Sequence, residues 1–234
     1  MVTTLHKYSF KYDHNEHSEE TKKAILPYAK SGEYNIEHID DVSREWRFHF
    51  IKRTFDIIVS FILLIVLFVP MVVIGVAVKV SSPGTIFYFQ ERLGKNGKKF
   101  KIIKFRSMVQ DAEQDGPQWC VDENDERITK VGKILRRYYL DELPQLWCVL
   151  VGDMSFVGPR PERECFYKEF ETYIHGFSER LRVKPGLTGF AQIEGDFATP
   201  PEKKILYDME YVKRRSILFD IKIILKTIMN ILKK

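Results

Sequence analysis

The distribution of apolar positions divides the chain into three stretches. Residues 1–50 are polar, show no apolar period and include "KYDHNEHSEETKK", which predicts a solvated N-terminal extension. Polarity then stops. "KRTFDIIVSFILLIVLFVPMVVIGVAVKV" runs from Lys52 to Val80, and no charge occurs between Ile57 and Val78. A run of that length suits a bilayer better than the core of a small domain. Pro70 interrupts it, deleting one backbone hydrogen bond and crowding the preceding turn. A kinked helix that crosses and a broken helix that enters and returns are the two readings. Lys52 and Arg53 on one flank, with Lys79 and a basic stretch on the other, favour return, because basic flanks stay on the cytoplasmic side. Residues 51–80 are therefore expected to be a membrane-embedded, re-entrant helix broken at Pro70.

Residues 81–234 alternate differently. Two β-rich runs, Thr85–Leu93 and Phe100–Met108, flank Asn96-Gly97, the strongest short hairpin signal. Arg92, Lys95, Lys98, Lys99, Lys101, Lys104 and Arg106 lie on this hairpin, opposed in sequence by Glu91 alone. The turn lysines suit lipid headgroups, whereas Lys104 and Arg106 lie further along and suit a pocket. Residues 110–126 are acidic and turn-rich, without calcium-ligand spacing, and predict a surface loop. Leu143, Leu146, Trp147 and Leu150 fall at i, i+3, i+4 and i+7, the pattern of a buried helical face. The C-terminal segment is helical, with Thr199 as an N-cap, and Ile217, Ile221, Ile224, Ile228 and Ile231 recur at helical spacing among lysines. Such a helix packs on the core or lies in a membrane interface. The fold class is α+β: mostly helical, with a small β-hairpin or sheet, and membrane-associated through the broken helix and amphipathic helices.

Composition narrows the partners. The 234 residues carry a net charge of +5 and are 44% hydrophobic, which allows a sizeable core and points to an anionic partner. The three cysteines, Cys120, Cys148 and Cys165, fit neither a zinc nor a disulfide pattern and read as reduced thiols facing the cytoplasm. His6, His14 and His17 also lack metal-ligand spacing. No cleavable signal is expected in so polar an N-terminus. No RNA- or DNA-recognition pattern occurs, so nucleic acid is not the expected anion.

The candidate chemistry lies in "RRYYLDELPQLW", residues 136–147. Pro144 is tolerated only in a first helical turn, so a helix is expected to start near Asp141, with Glu142 in its first turn. Capping and the helix dipole alone account for two acids there. They do not account for Arg136 upstream, nor for Arg160 between Pro159 and Pro161, whose backbone the prolines preset. Adjacent carboxylates on a helix diverge, which excludes a facing acid/base pair of the glycosidase kind. Adjacency does allow one to attack while the other holds a metal. Carboxylates, arginines and a helix N-terminus together describe phosphate chemistry with a divalent cation. Downstream, "LRVKPGLTGFAQIEG" places Gly186, Gly189 and Gly195 in a loop able to wrap a small ligand.

These motifs occur in a fixed order. "KRTFD", the apolar segment with its proline, "KFRSM", "ITKVGKILRR", "LDELPQLW", "GDMSFVGPRP", "RLRVKPGLTGFAQIEG" and "YVKRRSILFDIKIILKT" span about three-quarters of the chain. In that order they resemble the monotopic bacterial polyprenyl-phosphate phosphoglycosyltransferases, the priming sugar-1-phosphate transferases of polysaccharide and glycoconjugate assembly. The resemblance implies that Asp141 attacks the β-phosphorus of a sugar nucleotide, with a UDP-sugar the expected donor. A covalent aspartyl phosphosugar forms and UMP leaves. Polyprenyl (undecaprenyl) phosphate then takes the phosphosugar. It further implies that Glu142 binds Mg²⁺, that Lys104, Arg106, Arg136 and Arg160 neutralise phosphate, and that Pro185, Gly186, Thr188 and Gln192 lie near the nucleotide. The implied location is the cytoplasmic face of a bacterial cell membrane. Residues 81–234 would then form the catalytic domain. Val69, Cys148 and Asp196 stand where members commonly have Ser, Asn and Arg. A membrane-bound, Mg²⁺-dependent nucleotide-sugar hydrolase uses the same residues with water as acceptor, and a basic membrane adaptor accounts for the charges but gives no role to Asp141, Glu142 and Arg160.

Overall fold

The computed structural model describes residues 34–36, 46–114, 116, 125–195 and 199–233. Cys120, Asp196, His6, His14, His17 and most of the expected acidic loop lie outside them. The first long helix, α1 (Trp46–Val66), starts inside the stretch expected to be extension. A second helix, α2 (Phe68–Ser81), follows after one residue. The two are bent by 61°. The bend sits at Leu67, three positions before Pro70, because the proline lies in the first turn of α2 and cannot donate to the Val66 carbonyl, where α1 ends. No single described helix is long and apolar enough to cross a membrane, but the bent pair has that length and composition. Phe50, Ile58, Phe61, Ile65, Phe68, Val72 and Val76 are among the side chains it leaves exposed.

The hairpin forms as the sequence predicts. Strands β2 (Phe87–Leu93) and β3 (Lys99–Phe105) pair antiparallel, with Phe87 opposite Phe105 and Leu93 opposite Lys99. Asn96 and Gly97 both take positive φ, 58° and 74°, as a tight turn between twisted strands requires. Its cations find acidic partners beyond Glu91, from outside the hairpin. Lys99 contacts Glu91 and Glu164, and Arg92 contacts Glu162. Period-two alternation places Phe100, Ile102 and Lys104 on one face, and the first two are buried in the main core. That core also takes Leu146, Val149, Met154, Phe156, Tyr211 and Ile223.

After the hairpin come α3 (Lys130–Arg137), a 3₁₀ turn (Leu140–Gln145) and α4 (Leu146–Val151). A short strand, β4 (Ser155–Val157), pairs parallel with β6 (Gly186–Thr188). Between them lie α5 (Glu164–Glu171), β5 (Ile174–His175) and a 3₁₀ turn (Phe177–Arg182). β5 pairs parallel with β1 (Tyr34–Asn35), so part of the expected N-terminal extension is built into the domain. Helices α6 (Phe190–Glu194), α7 (Pro201–Arg214) and α8 (Ile217–Leu232) complete the chain.

Two expectations, the burial of Trp147 and the cap at Thr199, need correction, and the C-terminal helix shows both of the faces it was expected to choose between. Trp147 is 53% exposed and lines, with Leu150, Phe61, Leu64, Ile65 and Phe68, an apolar hollow of about 380 Å³ instead of facing the core. On α8 the buried positions are Asp220 and Ile223, while Ile221 and Ile228 are exposed beside Leu218, Leu225, Met229 and Leu232. Ile217, Ile224 and Ile231 are half-buried, Ile224 against the main core, so the isoleucine period straddles the packed face and the outer apolar face. Thr199 does not cap α7: the helix begins at Pro201 behind Pro200, with no side-chain cap.

Candidate active site

Lys104 shares the inward face of β3 with Phe100 and Ile102, and this delivers its ammonium to the 3₁₀ turn. That turn departs from the expected helix start. Its cap position is Tyr139, in a left-handed conformation at φ 57°, and the Glu142 N–H donates to the Tyr139 carbonyl at 3.2 Å. Asp141 is therefore not the cap of an α-helix. Both acids lie in the turn, 8% and 9% exposed. Pro144 sits where its missing donor costs least, ahead of α4.

The two neighbours have unlike surroundings. Oε1 of Glu142 accepts from Lys104 Nζ at 2.8 Å and from Arg160 Nη2 at 2.6 Å, and its Oε2 lies 3.4 Å from Arg160 Nη1. Among the described residues no donor bonds the Asp141 carboxylate. Burial alone would raise the Glu142 pKa, but Arg160 and Lys104 outweigh it and hold the carboxyl well below the usual range. Burial and then the Glu142 charge push Asp141 up, against Lys104, Arg136 and Arg160. The pair keeps its charge on Glu142 first, while Asp141 is the less stabilised anion. Arg160 stays 40% exposed despite this contact, so part of its fork remains open to a ligand.

Arg136 stands in the last turn of α3, near enough for its charge to favour ionised Asp141. Arg106, grouped with the phosphate ligands in sequence, is not brought there. It is buried, and its guanidinium donates to the carbonyls of Ser82 at 2.8 Å, of Val78 at 3.4 Å and of Pro83. Those carbonyls lie in and just past the last turn of α2, so Arg106 ties the bent helix pair to the hairpin. Pro70 lies in the first turn of α2, just past the bend, and its neighbour Met71 packs in the cluster that includes Leu140 and Leu143.

Pro185, Gly186, Thr188 and Gln192 border the Arg160 segment. Pro185 O accepts from Ser155 N, Gly186 N donates to Pro159 O, and Gly158 N donates to Thr188 O, at 2.9–3.0 Å. A Cβ on Gly186 would fall 2.1 Å from Gly158 N, and one on Gly189 2.2 Å from Gly158 O. These glycines allow the close backbone packing of this loop against Gly158. Thr188 Oγ1 meets Thr227 Oγ1 at 2.7 Å. Gln192 Nε2 donates to Leu187 O at 3.2 Å, and its buried Oε1 has no donor among the described residues.

Sequence reasoning missed one polar set. Lys52, Arg53 and Asp56 share a helical face, which was the available signal. Arg53 donates to the carbonyls of Val149 and Leu150, both at 2.7 Å, and Lys52 to Val157 O at 3.0 Å and Asp220 at 2.5 Å. Asp56, 2% exposed, accepts from Ser155 Oγ at 3.1 Å and Phe156 N at 3.0 Å. These flank charges tie α1 to the domain.

The family profile described as bacterial sugar transferase matches residues 47–234, a span that includes every residue of this cluster. The chain belongs to that family. It is 43% identical over 187 residues to the UDP-N-acetylgalactosamine-undecaprenyl-phosphate N-acetylgalactosaminephosphotransferase of Aeromonas hydrophila, covering 78% of this chain and 44% of the relative. It is 43% identical over 183 residues to the UDP-glucose:undecaprenyl-phosphate glucose-1-phosphate transferase of Escherichia coli (strain K12), covering 76% and 39%. The chain spans less than half the length of these two sugar transferases. The exopolysaccharide production protein ExoY of Sinorhizobium fredii, 38% identical over 191 residues, is matched over 76% of this chain and 83% of its own length. Among family members of this kind the sugar differs from name to name, and the cluster around Glu142 carries no feature that selects one.

Residues able to hold a cation are few. Among the described residues no group of three His, Cys, Asp or Glu side chains is placed to cage a metal. Glu142 Oε2 has only the 3.4 Å contact, and the Asp141 carboxylate is unbonded among the described residues, so one oxygen of Glu142 and both of Asp141 are left for a ligand. This fits Mg²⁺ carried mainly by substrate phosphates with one or two carboxylates, and does not fit a closed protein site.

Proposed function

We propose that this protein transfers a sugar-1-phosphate from a UDP-sugar to polyprenyl phosphate, at the cytoplasmic face of a bacterial membrane, through an aspartyl intermediate. The observation that carries the reading is the asymmetry of the acid pair: Glu142 is held by two cations while buried Asp141 is not. A carboxylate without hydrogen-bond donors is the better nucleophile, and aspartyl phosphates have precedent as covalent intermediates. In the first step Asp141 Oδ forms a bond to the β-phosphorus, the bond from that phosphorus to the bridging oxygen breaks, and UMP leaves with the electron pair. In the second an oxygen of polyprenyl phosphate bonds to the phosphorus and Asp141 is released. Arg160, Lys104 and Arg136 spread the phosphoryl charge. Mg²⁺ would be held by Glu142, with Asp141 beside it, and supplies further charge neutralisation when bound. Pro185, Gly186, Thr188 and Gln192 would border the nucleotide. The names of the relatives, which specify UDP-sugars and undecaprenyl phosphate, support this choice of substrates.

A re-entrant placement of α1 and α2 is part of the same proposal. Both ends of the bent pair are tied to one domain, the first by Lys52, Arg53 and Asp56 and the second by Arg106. That arrangement favours both flanks on one side of the bilayer, with the exposed apolar surface of α1, α2 and α8 in lipid. The functional test is release of UMP from a panel of UDP-sugars with and without polyprenyl phosphate. A lipid-linked product supports transfer, whereas full-rate UMP release with water as the only acceptor would make the protein a hydrolase.

A further inference from the structure

The segment that presents Arg160 is gripped from behind at three successive carbonyls. Arg160 O accepts from Arg180 Nη2 at 2.9 Å, Pro161 O from Arg92 Nη1 at 3.2 Å, and Glu162 O from Leu93 N at 3.0 Å. Pro161 restricts Arg160 to an extended backbone, but the plane of the peptide after Arg160 is set by what bonds its carbonyl. The donor there is unusual. Arg180 and its partner Asp208 on α7 have side chains 2% and 1% exposed, and the same Nη2 lies 2.7 Å from Asp208 Oδ2. The guanidinium also lies over the rings of Phe177 and Tyr167, at 5.1 and 5.8 Å. A fully buried ion pair is a weak source of stability, and a packed apolar pair commonly does as well or better. An apolar pair cannot place a fixed donor under the carbonyl of Arg160.

We infer that Arg180, charge-paired with Asp208, is a positioning residue that sets the aim of the Arg160 fork, with Arg92 gripping the next carbonyl. Arg160 then meets Glu142 at 2.6 Å on one side while its exposed part faces the transferring phosphoryl group. The inference rests on the proposed role of Asp141, Glu142 and Arg160. A tilt of the peptide plane is magnified along a side chain as long as arginine's, and displacements of about 1 Å at a reacting centre can cost roughly a hundredfold in rate.

The test is a cycle of variants of the full chain in detergent or nanodiscs. Arg180→Met/Asp208→Leu removes both buried charges together, so the melting temperature is expected to hold or rise. Single-turnover UMP release per active site, with sites counted by the phosphosugar adduct, is expected to fall about tenfold or more. On an Arg160→Lys background the same double change is expected to cost nothing further, because the group it aims is already altered. Equal losses on both backgrounds, or an unchanged rate per site, would overturn the inference. If the double variant gives no cooperative melt, Arg92→Lys, which keeps a cation beside Glu162, carries the same comparison with the same outcomes. A wild-type protein that releases no UMP from any UDP-sugar overturns the functional reading and this inference with it. A wild type that turns over beside an equally active variant overturns positioning alone.

Discussion

Arg160 places Nη2 2.6 Å from Oε1 of Glu142, the same oxygen that Lys104 reaches at 2.8 Å. Two cations on one buried carboxylate leave its neighbour Asp141 as the acid whose charge is least supported. The division of roles within the pair follows from that contact, and it sets a pH dependence. Burial and the Glu142 charge raise the Asp141 pKa. The nucleophilic anion is thus lost, as pH falls, earlier than for an ordinary aspartate near about 3.9. Single-turnover UMP release is expected to show an acid limb above that value. In Glu142→Gln the neighbouring charge is gone while Lys104 and Arg160 remain, so the limb should move to lower pH even though the rate falls. A limb at the ordinary value in wild type, or one that moves upward in the variant, contradicts the assignment.

Arg106 and Arg160 should separate cleanly. Arg106→Met leaves the carbonyls of Ser82 and Pro83 without this donor, while Val78 O keeps Ser81 Oγ, and should cost stability, on the order of 1–3 kcal/mol per buried unsatisfied group at most. The rate per folded site should change little. Arg160→Met takes one of two cations from buried Glu142 and should also lower the melting temperature, but, unlike Arg106→Met, with turnover per folded site lowered about a hundredfold or more. Melting curves beside single-turnover rates check both.

Asp56 gives a stability prediction in an apolar helix. Its carboxylate satisfies Ser155 Oγ and Phe156 N inside the protein. Asp56→Leu strands both donors and should destabilise by about 1–3 kcal/mol, although it makes the helix more apolar. Thermal unfolding in nanodiscs measures it, and an unchanged or raised melting temperature would mean the anchor is dispensable.

The bend at Leu67 predicts topology. Single cysteines replacing Arg47 and Lys98 should be labelled from the same side of sealed vesicles. Pro70→Ala restores a donor for the Val66 carbonyl and should straighten the pair, so that the two positions become labelled from opposite sides in part of the population. Opposite-side labelling in the unaltered chain would mean a spanning helix.

The sequence made the locally coded features legible. The Asn96-Gly97 hairpin, the broken apolar helix and the Asp141-Glu142-Pro144 turn each rest on backbone preferences of the residues themselves. What it did not reveal depends on contacts distant in sequence. Arg106 looks like Lys104 in a list of hairpin cations, yet one folds onto helix-end carbonyls and the other onto Glu142. Trp147 fits a buried helical face by spacing, but its neighbours across the groove are the exposed apolar residues of α1. The close packing of Gly186 and Gly189 was not legible, because nothing in their own neighbourhood shows the backbone of Gly158 against them. Arg180 drew no notice, since a buried arginine is apparent only once Asp208 and Arg160 surround it.

The central claim is that Asp141 becomes covalently attached to the phosphosugar. Intact-protein mass spectrometry after incubation with a UDP-sugar and Mg²⁺, without polyprenyl phosphate, tests it most directly. The account predicts a mass increase equal to one sugar phosphate, located on the peptide containing Asp141, lost on adding polyprenyl phosphate and absent from Asp141→Asn. Transfer to polyprenyl phosphate by Asp141→Asn at the wild-type rate, with no adduct in either protein, would contradict it.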